Sequence, residues 1–203
     1  MIVYVETNFL LELAYLQERC ASCDEILQMA ASDRINLILP AFSIAEARAT
    51  WQRRASERRE VHASLQKHIR EISRSEPFRS LNEQSREVVA ALVAHGEQAR
   101  ERLEEAVQAV ERHGTIVALS SEIVTVARVH EILYSLSPQD ALVLESVRSH
   151  AEQAAGPKCF ITQDVKGFAN PSIYDELSRV QCKVLVNFTD AVAYIRSALE
   201  PPG

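Results

Sequence analysis

Short apolar runs alternate along the chain with longer segments whose apolar residues recur every three or four positions. The short runs have the length and the β-branched or aromatic content of strands. They occupy residues 2–5, 36–39, 115–119, 158–162 and 183–186. Strands that are apolar at consecutive positions are typical of parallel sheets, whose two faces are both covered by helices. The pattern therefore predicts an α/β sandwich with a central parallel sheet.

The middle of the chain has a different pattern. Residues 43–113 contain no predicted strand and two long helical stretches, which are separated around Ser75-Glu76-Pro77. Apolar residues spaced by three, four and seven positions give each stretch one apolar stripe, as an antiparallel helical pair requires. We therefore expect a single domain over residues 1–203, in which residues 49–113 form an inserted helical pair that projects from the sheet.

Composition narrows the class of protein. The chain has 203 residues, of which 47% are hydrophobic, and this excludes a disordered or fibrous protein. No run of about 18 apolar residues is present to span a membrane. The first residues include an acid, Glu6, and no basic segment, so they do not form a secretory signal. We expect a cytoplasmic protein with no membrane partner.

The four cysteines do not form a disulfide scaffold in a chain of this length. Cys20 and Cys23 have the spacing of a redox pair, but they lie within a helical pattern rather than directly after a strand. A zinc site would need further ligands, and no second close pair provides them. With Cys159 and Cys182 they are expected to be buried structural thiols, since free cysteine is among the most buried residue types.

Charge is distributed unevenly on a chain whose net charge is −6. This net charge argues against a protein that coats nucleic acid by bulk charge alone. Residues 51–80 nevertheless contain eight basic and four acidic side chains, whereas residues 81–113 contain four basic and seven acidic ones. A basic arm of this kind is suited to phosphate contacts, and its candidate substrate-binding residues are Arg53, Arg54, Arg58 and Arg59. The alternative is a solvated helix face with ion pairs between successive turns.

Four acidic residues lie where a parallel sheet would bring them together. Glu6 follows the first predicted strand, Asp164 follows the fourth, and Glu46 lies in the first helical turn after the second. Asp140 lies in Ser137-Pro-Gln-Asp140, a sequence that opens a helix. Ligands of parallel α/β sheets bind beyond the carboxyl ends of the strands. We therefore predict that these four carboxylates meet at that edge.

Carboxylates held close together raise one another's pKa and destabilise the fold unless a cation compensates them. Oxygen ligands favour Mg²⁺ or Mn²⁺ over zinc, and the sequence has no cluster of histidines and cysteines to compete. A metal held there lowers the pKa of a bound water and neutralises charge on a phosphate, which suits hydrolysis of a phosphodiester.

Each acid also has a purely structural interpretation. Ser43-Ile-Ala-Glu46, Ser137-Pro-Gln-Asp140 and Ser172-Ile-Tyr-Asp175 all have the spacing of a capping box, and Glu6 could interact with the positive end of a helix dipole. Taken one by one, these interpretations are favoured. The joint placement of Glu6, Glu46, Asp140 and Asp164 reverses that preference.

Several segments resemble the PIN domain family. Val3-Tyr-Val-Glu-Thr-Asn-Phe-Leu-Leu11 resembles its opening strand, acidic motif and apolar helix, and Phe160-Ile-Thr-Gln-Asp164-Val-Lys-Gly-Phe168 resembles its late Thr-x-Asp segment. Ser43-Ile-Ala-Glu46 and Ser137-Pro-Gln-Asp140 resemble its second and third acidic motifs. The resemblance covers residues 1–48 and 115–199, and the central helical pair between them is of atypical length for the family.

The resemblance implies a three-layer α/β/α sandwich, with Mg²⁺ or Mn²⁺ bound by Glu6, Glu46, Asp140 and Asp164. It implies a metal-dependent endoribonuclease acting on single-stranded RNA, as in the toxins of bacterial toxin–antitoxin pairs. Thr7 is expected to assist the metal site and Asn8 to brace its loop. An antitoxin or a second copy of the chain is the expected protein partner.

One residue departs from the family pattern. Glu6 stands where the first acid is usually Asp, and the extra methylene moves the carboxylate outward. The alternative function is therefore a catalytically decayed relative that acts as a protein- or RNA-binding module. A phosphohydrolase acting on a small phosphate ester ranks last, because the sequence lacks an Asp-x-Asp nucleophile motif.

Overall fold

Five parallel strands form one sheet in the order β3-β2-β1-β4-β5. They span Ile2–Tyr4 (β1), Asn36–Pro40 (β2), Gly114–Val117 (β3), Lys158–Ile161 (β4) and Cys182–Leu185 (β5). The computed structural model describes residues 1–80, 83 and 85–200. Each strand overlaps the run of residues that predicted it, and the predicted parallel sheet is confirmed.

Helices cover both faces of this sheet. They are, in chain order, Thr7–Tyr15 (α1), Cys20–Ala31 (α2), Ala41–Ile72 (α3), Arg86–His113 (α4), Ser121–Tyr134 (α5), Pro138–Gln153 (α6), Val165–Phe168 (α7), Pro171–Arg179 (α8) and Phe188–Leu199 (α9), with a 3-10 turn at Glu76–Phe78 between α3 and α4.

The central strand shows how the layers are built. Val3 of β1 belongs to a core cluster with residues of α1, α2, α4 and α9, whereas its neighbours Ile2 and Tyr4 belong to a second cluster with residues of α6, α7 and α8. Successive side chains of a strand point to opposite faces, so β1 contributes to both cores. The expected three-layer α/β/α sandwich is therefore confirmed.

The predicted helical pair is present and antiparallel. Near its start α3 packs against the later part of α4, where the guanidinium of Arg48 lies 2.7 Å from the carboxylate of Glu104. Further along, the indole nitrogen of Trp51 donates to the carbonyl oxygen of Gly96 at 3.1 Å. Leu81, Asn82 and Gln84 of the predicted insertion lie outside the described residues, as do residues 201–203 of the predicted domain.

The pair is anchored in the main core by the second half of α4. Ala99, Leu103, Ala106, Val107 and Val110 are buried there against α1 and the sheet. The outer parts of both helices are mostly exposed, which is why α3 has only three fully buried residues over its 32 positions. The burial of α4 makes the insertion continuous with the sandwich.

The cysteines have the environment expected of structural thiols. All four are free; Cys23, Cys159 and Cys182 are buried, and Cys20 is half-buried. Burial raises the pKa of each thiol, so the thiolate is disfavoured. In the part of the chain that the structure describes, none of the helices is both long enough and apolar enough to cross a bilayer.

Leu103→Ala tests the anchoring of α4. Leu103 is 1% exposed, so its truncation is expected to lower the free energy of unfolding by about 2–5 kcal/mol. Val88→Ala, at a side chain that is 57% exposed on the same helix, is the control and is expected to change it by less than about 0.5 kcal/mol. Chemical denaturation measures both, and an equally small effect for Leu103→Ala would show that α4 folds apart from the core.

Candidate metal-binding site at the carboxyl edge of the sheet

Glu6 lies just beyond β1 and caps the helix that follows. Its Oε2 accepts a hydrogen bond from the backbone N–H of Asn8 at 2.8 Å, and its Oε1 accepts one from the Asn8 side-chain amide at 3.0 Å. The hydroxyl of Thr162, directly after β4, donates to the same Oε1 at 3.2 Å. Both carboxylate oxygens of Glu6 are therefore bonded to the protein, and Asn8 forms two of these bonds.

Burial dominates the electrostatics of Glu6. The residue is 4% exposed, and this loss of hydration raises the pKa of its carboxyl group to about 7. The hydrogen bonds from Asn8, Thr162 and the backbone of Gln163 favour the charged form and offset only part of that increase. Glu6 consequently titrates near neutral pH in the folded protein.

Thr7 connects this loop to α3. Its hydroxyl donates a hydrogen bond to Oε2 of Glu46, a half-buried residue in the second turn of α3. Because α3 begins at Ala41, Ser43 lies inside the helix, and its buried hydroxyl has no hydrogen-bond partner among the described residues. The interpretation of Ser43-Ile-Ala-Glu46 as a capping box is therefore wrong, and the Glu46 side chain reaches the sheet edge instead.

Asp140 belongs to the capping sequence that opens α6. Ser137 is the N-cap, and its hydroxyl accepts a hydrogen bond from the backbone N–H of Asp140 at 3.1 Å. The same hydroxyl donates to Oδ2 of Asp140 at 2.6 Å. Asp140 can take part in this cap and still belong to the site at the sheet edge, because only one of its carboxylate oxygens is hydrogen-bonded to Ser137.

Asp164 caps the short helix α7. Its Oδ1 accepts hydrogen bonds from the backbone N–H groups of Lys166 and Gly167, both at 3.0 Å. Its own N–H donates to the hydroxyl of Thr162 at 3.0 Å, and that hydroxyl also donates to Glu6. Thr162 therefore holds the segment after β4 against the segment after β1.

Gly167 shows how close Asp140 and Asp164 are to each other. A Cβ atom placed on Gly167 would lie 2.6 Å from Oδ2 of Asp164 and 3.1 Å from Oδ2 of Asp140. Both carboxylates thus border the same point, and the absence of a side chain at Gly167 provides the space.

Glu46, Asp140 and Asp164 form what we call the carboxylate cluster. Burial raises the pKa of Glu46, and the charges of Asp140 and Asp164 raise it further. Burial also raises the pKa of Asp140, again with a contribution from the charge of Asp164. These shifts have the direction expected of carboxylates that share one poorly hydrated site.

The chain matches the PIN domain family model over residues 3–168, which is most of its length. This chain belongs to the PIN domain family. Comparison with curated protein sequences found no match. Comparison with solved structures matched a chain of VapBC2 from Rickettsia felis, whose structure was solved with a DNA fragment from its promoter. The two chains are 14% identical over 91% of this chain and 98% of that one, with a TM-score of 0.44, and a likeness this weak carries no functional argument.

The free carboxylate oxygens of this PIN domain are of the chemical type that a hard divalent cation prefers. Oε1 of Glu46, Oδ1 of Asp140 and Oδ2 of Asp164 have no hydrogen bond to other described residues, while their second oxygens are held by Thr7, Ser137 and backbone amides. Such oxygens are the preferred ligands of Mg²⁺ and Mn²⁺. Among residues 1–80, 83 and 85–200, however, no three His, Cys, Asp or Glu side chains already surround one point closely enough to hold a metal.

The four arginines singled out in the sequence lie along α3. Arg53 is exposed and forms an ion pair with Glu57 at 3.2 Å, on the helix face that also carries Glu46 two turns earlier. The guanidinium groups of Arg54 and Arg58 lie over the ring of Tyr15, at 4.7 and 5.9 Å from its centroid. Arg59 lines a cavity of about 460 Å³ between α3 and α4. Arg54, Arg58 and Arg59 therefore face other helices rather than the carboxylate cluster.

Sequence reasoning missed the roles of Thr162 and Gly167 in this PIN domain, whereas the predicted capping by Ser137 is confirmed. Thr162 and Gly167 flank Asp164 in the late motif, and that spacing was the available signal. Asp175 is exposed on α8, which is capped by Asn170, so the interpretation of Ser172-Ile-Tyr-Asp175 as a capping box is wrong.

Stability in the absence of metal is expected to depend on the protonation of Glu6. Its pKa is raised from 4.5 to about 7 in the folded state, so its contribution is fully present below pH 4.5 and is lost as pH rises to about 7. Over that interval the shift corresponds to about 3 kcal/mol of unfolding free energy. Denaturation at several pH values in a chelator measures it, and Glu6→Gln should flatten the profile. An unchanged slope in Glu6→Gln would contradict this assignment.

Gly167→Ala is expected to displace the carboxylate of Asp164, because the new Cβ would be 2.6 Å from Oδ2. Thermal denaturation with and without Mn²⁺ should show a metal-induced stabilisation in the wild type and a smaller one in the variant. Ala169→Gly, two residues along the chain, is the control, and it should respond to Mn²⁺ like the wild type. Equal metal responses in all three proteins would argue against a role for Gly167.

Proposed function

We propose that this protein is a metal-dependent endoribonuclease that hydrolyses phosphodiester bonds of single-stranded RNA and uses Mg²⁺ or Mn²⁺. The proposal depends on one observation, the carboxylate cluster at the carboxyl edge of the sheet, in which three oxygens accept no hydrogen bond from other described residues. Family membership supports it, because nucleases of RNA are common among PIN domains.

Asp140, Asp164 and Glu46 would hold the metal ion. When bound, it lowers the pKa of a water and stabilises negative charge on the phosphate, which is the chemistry that hydrolysis of the ester requires. Water attack at phosphorus is expected to leave a 5′-phosphate and a 3′-hydroxyl. Glu6 is also a predicted metal ligand. To coordinate the metal, its carboxylate must give up a hydrogen bond from Asn8 or Thr162.

The remaining polar groups position these acids. The hydroxyl of Thr7 orients Glu46, and the hydroxyl of Ser137 orients Asp140. Thr162 fixes Asp164 relative to Glu6. Each of these hydroxyl donors bonds one carboxylate oxygen and carries no charge. The negative charge of the cluster is therefore not neutralised, and it still attracts a cation.

The face of α3 that carries Glu46 and Arg53 is the proposed path of the substrate backbone. Arg53 lies on the same face as Glu46 and is exposed, so a phosphate can compete for it with Glu57. Arg54, Arg58 and Arg59 are proposed to add long-range attraction for RNA rather than direct contacts at the cluster.

Asp164→Asn is the direct test of catalysis. It removes charge from the carboxylate that borders Gly167 and keeps its shape, so cleavage of single-stranded RNA with Mn²⁺ is expected to fall by at least about 100-fold. Asp175→Asn, an exposed acid on α8, is the matched control and should retain activity. The rate of appearance of 5′-phosphate ends is measured, and comparable rates in both variants would contradict the proposal.

The second candidate is a non-catalytic binding module, favoured by the engagement of both Glu6 oxygens in helix capping. Under that hypothesis neither Mn²⁺ nor Mg²⁺ raises the melting temperature and the wild type does not cleave RNA. Glu6→Asp separates the two functions further. If the wild-type site is decayed, the shorter acid is expected to introduce metal binding; if the wild type is active, it already binds metal without this change.

We also propose that the protein acts in the cytoplasm as the toxin of a toxin–antitoxin pair. Membership of the PIN domain family, many of whose members are such toxins, supports this role. Expression of the wild type in bacterial cells is expected to arrest growth, and expression of Asp164→Asn is not. Growth arrest by both proteins would show that the effect does not need the carboxylate cluster.

A further inference from the structure

A second polar cavity adjoins the carboxylate cluster at the same edge of the sheet. It is a surface groove with a volume of about 660 Å³, lined by Glu12 and the turn after α1 (residues 16–19), by Gln163 after β4, and by Val186 and Asn187 after β5. We call it the Gln163 pocket. Its size is within the range of about 300–1,000 Å³ that is usual for small-ligand sites.

The Gln163 pocket shares a wall with the proposed catalytic site. Gln163 lies between Thr162, which bonds Glu6, and Asp164, which belongs to the cluster. Consecutive Cα atoms are about 3.8 Å apart, so the Cα atom of the pocket residue Gln163 lies at about that distance from the Cα atom of Asp164. Glu46 follows β2 and Asp164 follows β4, whereas the pocket residues Gln163 and Asn187 follow β4 and β5, so a strand of RNA crossing the edge of the sheet would meet the cluster and the pocket one after the other.

The walls are held by their own hydrogen bonds. Oε2 of buried Glu12 accepts from the backbone N–H of Arg19 at 2.9 Å and closes the turn after α1. Oδ1 of Asn187 accepts from the backbone N–H of Thr189 at 2.8 Å and caps α9, so its amide nitrogen has no partner among the described residues. These bonds give the pocket a defined shape before any ligand enters.

The chemistry of the lining favours an uncharged, hydrogen-bonding ligand. The half-buried side-chain amide of Gln163 makes no hydrogen bond to other described residues, so its donor and acceptor are both available. Glu12 and Glu18 outnumber the single cation, Arg19, which makes the pocket unsuitable for a phosphate. Leu16 and Val186 add exposed apolar surface, at 59% and 39%, for one face of a planar group.

We propose that the Gln163 pocket receives a nucleobase of the RNA substrate next to the phosphate that is cleaved. This rests on the proposed ribonuclease function and gives it a base preference. Proteins read single-stranded RNA by hydrogen bonds to the edges of unstacked bases, and a planar amide offers a donor beside an acceptor for that purpose. Gln163 is then a specificity-determining residue and does not take part in the bond cleavage.

The test compares Gln163→Ala with Gln139→Ala. Gln139 is an exposed glutamine that precedes Asp140 directly, just as Gln163 precedes Asp164, but it does not line the pocket. Each protein cleaves a random-sequence single-stranded RNA pool with Mn²⁺, and the bases flanking the cut are counted. The wild type and Gln139→Ala are expected to prefer one base at one position, and Gln163→Ala is expected to reduce that preference by about tenfold. Asn187→Ser keeps a capping oxygen, removes the amide donor, and should weaken the same preference.

A binding experiment without cleavage gives an independent readout. In a chelator, an oligonucleotide with one abasic nucleotide at each position in turn should lose affinity for the wild type at one position. In Gln163→Ala that position should no longer matter, because the two changes remove the same contact. Thermal denaturation checks that each variant folds.

The outcomes separate the two proposals. If the wild type cleaves RNA but Gln163→Ala and Asn187→Ser leave base preference and the abasic profile like those of Gln139→Ala, the pocket does not bind a base. Cleavage by the wild type without any base preference would also contradict the proposal that the pocket binds a base. If the wild type neither binds nor cleaves RNA, both the ribonuclease proposal and the pocket fail.

Discussion

Loss of hydration at the edge of a buried parallel sheet, together with repulsion among the carboxylates that lie there, is the constraint on which this structure depends. β1 lies between β2 and β4 and is almost inaccessible to water, so the residues that follow it enter a poorly hydrated region. A carboxylate there loses hydration and gains like-charged neighbours, and both effects favour its neutral form. The fold compensates with donors at short range: Thr7 for Glu46, Ser137 for Asp140 and two backbone amides for Asp164. Because each donor uses one oxygen, the cluster stays suited to a cation.

Glu6 meets the same constraint in a different way. Its side chain is one methylene longer than that of Asp, and both of its oxygens are bonded to Asn8 and Thr162. It therefore serves as the N-cap of α1 and as the link between β1 and β4, two roles that do not require a metal. The raised pKa of Glu6 shows that these bonds compensate only partly for its burial.

The helical pair is part of the same framework. α3 carries Glu46 in its second turn and Trp51 little more than one turn later, where the indole bonds to the backbone of α4. The packing of α3 on α4 thus sets the position from which Glu46 reaches the sheet edge. The second half of α4 packs in the core with α1, so the helical pair is joined to the elements that carry the site.

The sequence by itself determined the strands, the parallel sheet and the helical pair, because apolar periodicity is a local property that burial imposes on each segment. It also predicted Glu46, Asp140 and Asp164 as site residues, since residues after parallel strands meet at one edge. Only the tertiary structure decided how each side chain is used. That Ser43 does not cap α3, that both Glu6 oxygens are engaged and that Gly167 makes room for two carboxylates all depend on groups far apart along the chain. Such contacts leave no periodic trace in the sequence, because hydrogen-bond partners are set by distance in space.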